Sequence, residues 1–350
     1  MHLNLTKSKS VDIFFIEHRD PIFSLIVLFI IIFMIASLSY FWGVFSSKDE
    51  KKRIEKFIRK FENRSLSEEH KQMLLNPEID ARSLSILGGT FSKSGDFEKA
   101  ISVFLIALAK TKNKAEKEFI LNELGEVYFK AGFLKRSADV FLQSLELSPR
   151  NPNALRYLTM IDEKLKNYKE ALYALNSLEE LGVEIRAQKA YIQATVVLND
   201  KELSIEEKSD KILALSRDFE LLKRMCMQLW LKNGKSLENF PEFAKLDDVI
   251  DIMYNQNLAV NLNDEEYQGL FYAKGVINEP SDIKGFELNV IKHLNDAEFN
   301  KATLNFNYVC KSCKNSFPMH FYRCPMCHEL GSVKILPHIT EKPDENSMPF

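Results

Sequence analysis

Four of the chain's five cysteines stand in two close pairs, Cys310-Lys311-Ser312-Cys313 and Cys324-Pro325-Met326-Cys327. Thiolates at this spacing can close a tetrahedron around one metal ion, each Cys-x-x-Cys pair supplying two adjacent corners. The ion is expected to be zinc, with iron as the alternative, because four-sulfur sites accept either. Two disulfides or four incidental thiols are the competing explanation, but incidental cysteines rarely fall into two such pairs. A stretch this short cannot build a hydrophobic core, so metal ligation would replace one. Four protein ligands leave no coordination position open, which points to a structural site and away from hydrolytic catalysis.

Short strands are expected to carry these cysteines. Thr303–Val309 precedes the first pair, Met319–Arg323 precedes the second, and Ser332–Leu336 follows. The first two alternate well enough for short strands, and the last could add a third before Pro337, as in a zinc ribbon. Four thiolates on a divalent ion carry a net charge of about -2. Lys311, Lys314 and Arg323 are placed to offset it. His320 and His328 are possible substitute ligands, although with four cysteines available they are expected at the surface. The polar end of the chain, 338–350, with two prolines, reads as a flexible tail.

Composition sets the frame. The chain has 350 residues, a net charge of -2, 12 Gly and 11 Pro. Such a balance gives no global argument for a nucleic-acid or acidic partner, and scarce Gly and Pro suit a mostly helical protein. Ile22–Trp42 is an uninterrupted uncharged run. As a helix it would cross a hydrocarbon layer of roughly 30 Å, with Tyr40 and Trp42 at the interface. A cleaved signal peptide is the rival reading, but its apolar region should be shorter and followed by a small-x-small site. Lys48, Lys51, Lys52, Arg53, Lys56, Arg59 and Lys60 follow the run, against Lys7, Lys9 and Arg19 before it. Basic residues stay on the cytoplasmic side, so the body is expected in the cytosol, where thiols stay reduced. Ile54, Phe57, Ile58 and Phe61 then form one apolar stripe on a basic helix, suited to headgroups or to packing on later helices.

From about Ala81 the sequence repeats. The first unit carries Gly88, Phe91, Gly95, Ala100, Phe104 and Ala107; the second carries Gly125, Tyr128, Gly132, Ser137, Phe141, Ser144 and Pro149. A third keeps Leu155, Leu158, Ala171 and Leu175 but has Thr159 where the glycine belongs. Small residues let two antiparallel helices approach, and aromatics fill the space between them. The pattern resembles the tetratricopeptide repeat, with a short insertion near Lys110–Ala115 beyond the period of about 34 residues. Further helices are expected near Arg186–Leu198, Ile205–Ser216, Phe219–Lys232, Asp264–Gly275 and Asp282–Leu294, as degenerate repeats. Cys226 among Met225, Met227 and Leu229 reads as a small core residue. A solenoid of this kind performs no chemistry itself and presents a surface for recognition. No nucleophile–base pair, phosphate loop or carboxylate motif supports an enzyme.

Taken together, the fold class is mainly α. Domains are expected at 1–21 (short tail), 22–42 (transmembrane helix), 43–80 (juxtamembrane helical segment), 81–300 (repeat α-solenoid), 301–337 (four-cysteine module) and 338–350 (tail). The arrangement resembles the lipopolysaccharide assembly protein B family. The local match is strongest at Tyr308-Val309-Cys310-Lys311-Ser312-Cys313 and Phe321-Tyr322-Arg323-Cys324-Pro325-Met326-Cys327, with Pro337 closing a rubredoxin-like module. Lys314 and His328 stand where such knuckles usually have glycine, a position whose backbone often needs positive φ.

The resemblance implies an inner-membrane adaptor that limits lipid A synthesis by promoting turnover of the deacetylase LpxC through the membrane protease FtsH. It also implies a metal module packed against the repeats. Partners would be lipid A pathway proteins and that protease, with no nucleic acid and with homo-oligomerisation left open. The alternatives are a membrane-tethered scaffold for another cell-envelope or secretion complex, a nucleic-acid-binding zinc ribbon that uses Lys301, Lys311, Lys314, Arg323 and Lys334, or an iron site for electron transfer.

Overall fold

Gly88 and Gly125 each sit where a neighbouring aromatic ring leaves no room for a side chain. A Cβ on Gly88 would lie 2.9 Å from the Phe104 ring, and one on Gly125 would lie 2.7 Å from the Phe141 ring. These contacts, in a computed structural model that describes residues 28–29, 31–35, 66–299 and 301–342, build the first two helix pairs. After α1 (Glu68–Leu74), α2 (Ala81–Ser94) pairs with α3 (Phe97–Lys110), α4 (Lys114–Lys130) with α5 (Leu134–Leu147), and α6 (Pro152–Leu165) with α7 (Tyr168–Glu180). Phe104 and Phe141 are fully buried, each contributing about 2–3 kcal/mol of apolar burial. In the third pair Thr159 takes the glycine position and Leu175 stands where the phenylalanine would be, both buried. The smaller aliphatic chain leaves room for the larger residue opposite it.

Each pair turns on a left-handed residue at the equivalent position: Gly95 (φ 83°), Gly132 (φ 81°) and Lys166 (φ 63°). The first helix of each pair starts on a side-chain cap, Asp80 accepting from the Ser83 amide, Asn113 from the Ala115 amide and Asn151 from the amides of Asn153 and Ala154. Asn151 also ties the second pair to the third, because its Nδ2 donates to Asn122 Oδ1 and Ser144 Oγ, at 3.0 and 3.1 Å. Ser137 Oγ donates to the Gly125 carbonyl at 2.8 Å. These small buried polar groups are therefore satisfied rather than merely tolerated.

The stack continues through α8 (Arg186–Asn199), α9 (Ile205–Leu215) and α10 (Leu221–Lys232). Beyond α10 the plain repetition ends. A helix absent from the sequence-based expectation, α11 (Leu246–Tyr254), packs on the sheet, as does α13 (Phe286–Asp296); α12 (Glu265–Ala273) lies between them. The three-stranded antiparallel sheet has the order β2 (Ser316–Phe317), β1 (Ala302–Cys310), β3 (Val333–Glu341). Leu304 and Phe306 of β1 and Ile335 of β3 share one apolar core with α8–α13. Cys226 is buried in that same core, as expected, and burial pushes its thiol up to about 11.

Two expectations are corrected. Met319–Arg323 is not a strand; it makes a single bridge, Arg323 to Leu330. The module does not close at Pro337, because β3 runs on to Glu341 with Pro337 opposite Phe306. An edge strand can hold a proline whose missing N–H faces away from the partner, so 338–341 is sheet, while 343–350 lies outside the described residues. The expected anchor at 22–42 lies outside them as well, apart from 28–29 and 31–35, which are helical. Among the described residues no helix is long and apolar enough to cross a membrane. The 54–61 stripe is also outside the described residues.

Candidate metal centre

The end of β1 and a turn after residue 323 deliver two knuckles with matching backbone geometry. In the first, the Cys310 amide donates to the Asn315 carbonyl and the Lys314 amide to the Cys310 carbonyl, at 2.9 and 3.0 Å. In the second, Cys324 donates to Glu329 and His328 to Cys324 at the same distances. Lys314 and His328 both have φ 62°. Both occupy the left-handed position at which glycine is usual, and the knuckle hydrogen bonds hold them there.

The four Sγ atoms of Cys310, Cys313, Cys324 and Cys327 all lie within 4.8 Å of one another. Cys310 Sγ is 3.6 Å from Cys327 Sγ, and Cys313 Sγ is 3.7 Å from Cys324 Sγ. These separations are far beyond a disulfide bond of about 2.05 Å. They match the edge of about 3.8 Å expected for a tetrahedron with metal–sulfur bonds of about 2.3 Å. The donor set thus fits one zinc or iron ion, held by two buried sulfurs (Cys310, Cys324) and two outer ones (Cys313, Cys327).

Hydrogen bonds prepare the inner sulfur. Burial pushes the Cys310 thiol up, but Ser332 Oγ at 3.2 Å and the Ser312 and Cys313 amides outweigh it and hold it down at about 6. Asn315 Nδ2, 3.3 Å from Cys313 Sγ, pulls that thiol down too. Burial pushes Cys327 up to about 12, so a bound cation would have to hold this sulfur as thiolate.

The module is not a free appendage. It lies along alternate helices of the array. His328 packs edge-on to Phe129 of α4, at 4.9 Å between ring centres. Arg323 grips Glu163 of α6, with Nη2 and Nε donating to Oε2 at 2.7 and 2.9 Å. Tyr322 packs on Tyr191 of α8 and donates to Gln228 Oε1 of α10 at 2.9 Å. Gly331, at φ 67°, is pressed against Phe219 just before α10, where a Cβ would come within 2.8 Å of the ring.

Beneath the first knuckle is a buried polar network that the sequence reading missed. Arg224 of α10 donates through both terminal nitrogens to Asp251 of α11, at 2.6 and 2.7 Å, and Tyr308 donates to the same carboxylate at 2.7 Å. Burial pushes Asp251 up, but Arg224 and Tyr308 overcome it and keep the carboxyl below its usual range.

His320 and His328 are half-buried rather than free at the surface. His320 sits among Tyr308, Phe321 and Tyr322, where burial, reinforced by the Arg224 charge, pushes it down to about 3. Burial also lowers His328, helped by Lys164 and Arg323. Arg323 is not spare charge for the thiolates, being committed to Glu163 and to the His328 carbonyl at 3.0 Å.

No family model matches the chain, and no curated protein matches it. Solved structures of MamA align with part of it. A MamA point mutant does so at 16% identity and a TM-score of 0.32, over 46% of this chain and 92% of that one. MamA of AMB-1 does so at 15% identity and a TM-score of 0.35, over 50% and 93%. Likeness at this level does not bear on function.

Proposed function

We propose that the chain is a membrane-tethered scaffold that binds proteins rather than transforming a substrate. The supporting observation is that a four-cysteine module seats itself along α4, α6, α8 and α10 through Phe129, Glu163, Tyr191 and Gln228. A small metal-dependent fold so placed shapes a recognition face on stacked helices. In this reading the ion held by Cys310, Cys313, Cys324 and Cys327 is structural.

The finer reading follows the family resemblance. The 22–42 run anchors the chain in an inner membrane with its body in the cytoplasm. Its partners are lipid A pathway proteins and a membrane protease, and it promotes turnover of the lipid A deacetylase. The nucleic-acid alternative is disfavoured because Arg323 and Tyr322 are turned onto the helices and so are not free for phosphates and bases.

The test is affinity isolation from solubilised membranes, with wild type beside a Cys324→Ser, Cys327→Ser variant, together with deacetylase levels after depletion. Loss of partners in the variant and a raised deacetylase level are expected. An unchanged deacetylase level would remove the lipid A reading, and a wild-type bait that recovers no partner would remove the scaffold reading.

A further inference from the structure

The tip of the second knuckle does not touch the first two helix pairs everywhere. Between them lies an open cleft of about 580 Å³, lined by Phe97, Phe129, Leu134, Lys130 and Lys164 on the helices and by Met326 on the knuckle. Its size lies within the range of ligand-binding pockets. Met326 is 63% exposed, although it is the middle of a knuckle whose backbone is otherwise fixed. A second hollow of about 390 Å³ adjoins it, sharing Gly132 and Leu134 as lining and adding Phe133, Lys135, Arg136 and Leu165. Two adjoining hollows that share a wall suit an extended chain better than a compact small molecule.

The charge around this trough has one sign to spare. Glu163 is committed to Arg323, and Glu126 faces Lys130 at 3.5 Å. Lys164 and Arg136 instead lie over the rings of Phe129 and Phe133. Among the described residues, none of Lys135, Arg136 and Lys164 has a carboxylate partner within salt-bridge distance. Apolar walls with an unneutralised basic rim complement a ligand that is apolar at its centre and acidic at its flanks.

We propose that this trough binds an extended segment of a partner protein carrying an apolar side chain flanked by carboxylates. Met326 and Leu134 would cover the apolar side chain, and Lys164, Lys135 and Arg136 would face the flanking acids. The proposal rests on the scaffold reading above and names the place and chemistry of recognition.

The test uses the full chain in detergent and three sets of fluorescent peptides: apolar centre with Asp/Glu flanks, the same centre with Lys flanks, and Asp/Glu flanks with a Gly/Ser centre. Saturable binding of the first set alone is expected. Lys135→Glu with Lys164→Glu should weaken it by roughly tenfold or more, and Met326→Asp should do likewise, while a single cooperative thermal unfolding transition is retained because all three side chains are exposed. Equal binding of the three sets, or binding untouched by these substitutions, would overturn the proposal. In affinity isolation, partners recovered equally by wild type and the double lysine variant would overturn the trough and leave the scaffold reading standing. A wild-type bait that recovers none would end both.

Discussion

Arg323 and Glu163, 160 residues apart, form a fork-shaped ion pair that fastens the second knuckle to α6. Their side chains are 9% and 14% exposed, so neither charge is well solvated if the other is removed. Arg323→Met should leave Glu163 buried and unpaired and cost about 3 kcal/mol. Hydrogen exchange should then speed up over 321–331 while α2–α5 stays protected. Uniform change along the chain would mean that the pair does not act as a local fastening.

A second attachment, between Arg224 and Asp251, is more deeply buried. Arg224→Met alone or Asp251→Leu alone strands a charge, with an expected cost of about 3–5 kcal/mol. The double replacement strands neither and should cost less than either single change. Tyr308→Phe, which removes one hydrogen bond to the carboxylate, should cost about 1.5–3 kcal/mol. Denaturant midpoints measure all four variants, and additive costs would show that the two side chains do not depend on each other.

His320 makes the docked module sensitive to acid. Its folded pKa of about 3 lies below the ordinary value of 6.5, so between those values the unfolded chain binds more protons than the folded one. Stability contributed by the neutral ring is complete above pH 6.5 and is lost as pH falls, by roughly 3 kcal/mol near pH 4. Asp251, whose folded pKa is also lowered, adds a loss at still lower pH. His320→Phe should flatten the part of the profile between pH 6 and 4. An unchanged profile in that variant would place the acid sensitivity elsewhere.

What could be read from the sequence was local. Gly88, Gly125, Phe104 and Phe141 recur with a period because each pair repeats the same close approach, and the cysteine spacing carries its own geometry. The docking contacts carry no such mark, since Glu163 and Arg323 are ordinary helix and loop residues until the chain folds. A trace did exist for Arg224 and Asp251. Each interrupts an apolar row, one among Leu221, Leu222 and Met225 and the other among Val249, Ile250 and Ile252. Charges in such rows call for partners. The end of β3 was missed for a different reason. Pro337 reads as a terminator along the chain, and only the strand order shows that it lies on an edge.

The glycine–aromatic pairing can be tested by borrowing the third unit's solution. Gly125→Ala drives a methyl group into the Phe141 ring at 2.7 Å, and overpacking of this kind costs about 1–3 kcal/mol. Phe141→Leu alone loses apolar volume and the stack on Tyr157, whose ring centre lies 4.9 Å away; that stacking is worth about 0.5–1.5 kcal/mol beyond area. In the third unit Thr159 already coexists with Leu175 at the same spacing. Combined with Gly125→Ala, Phe141→Leu should therefore relieve the clash, and the double variant should be more stable than the sum of the two single costs predicts. Urea midpoints across the four proteins measure the coupling, which is expected at about 1 kcal/mol or more. Additivity would mean that the helices slide apart to admit the methyl group, and that the ring does not set their spacing.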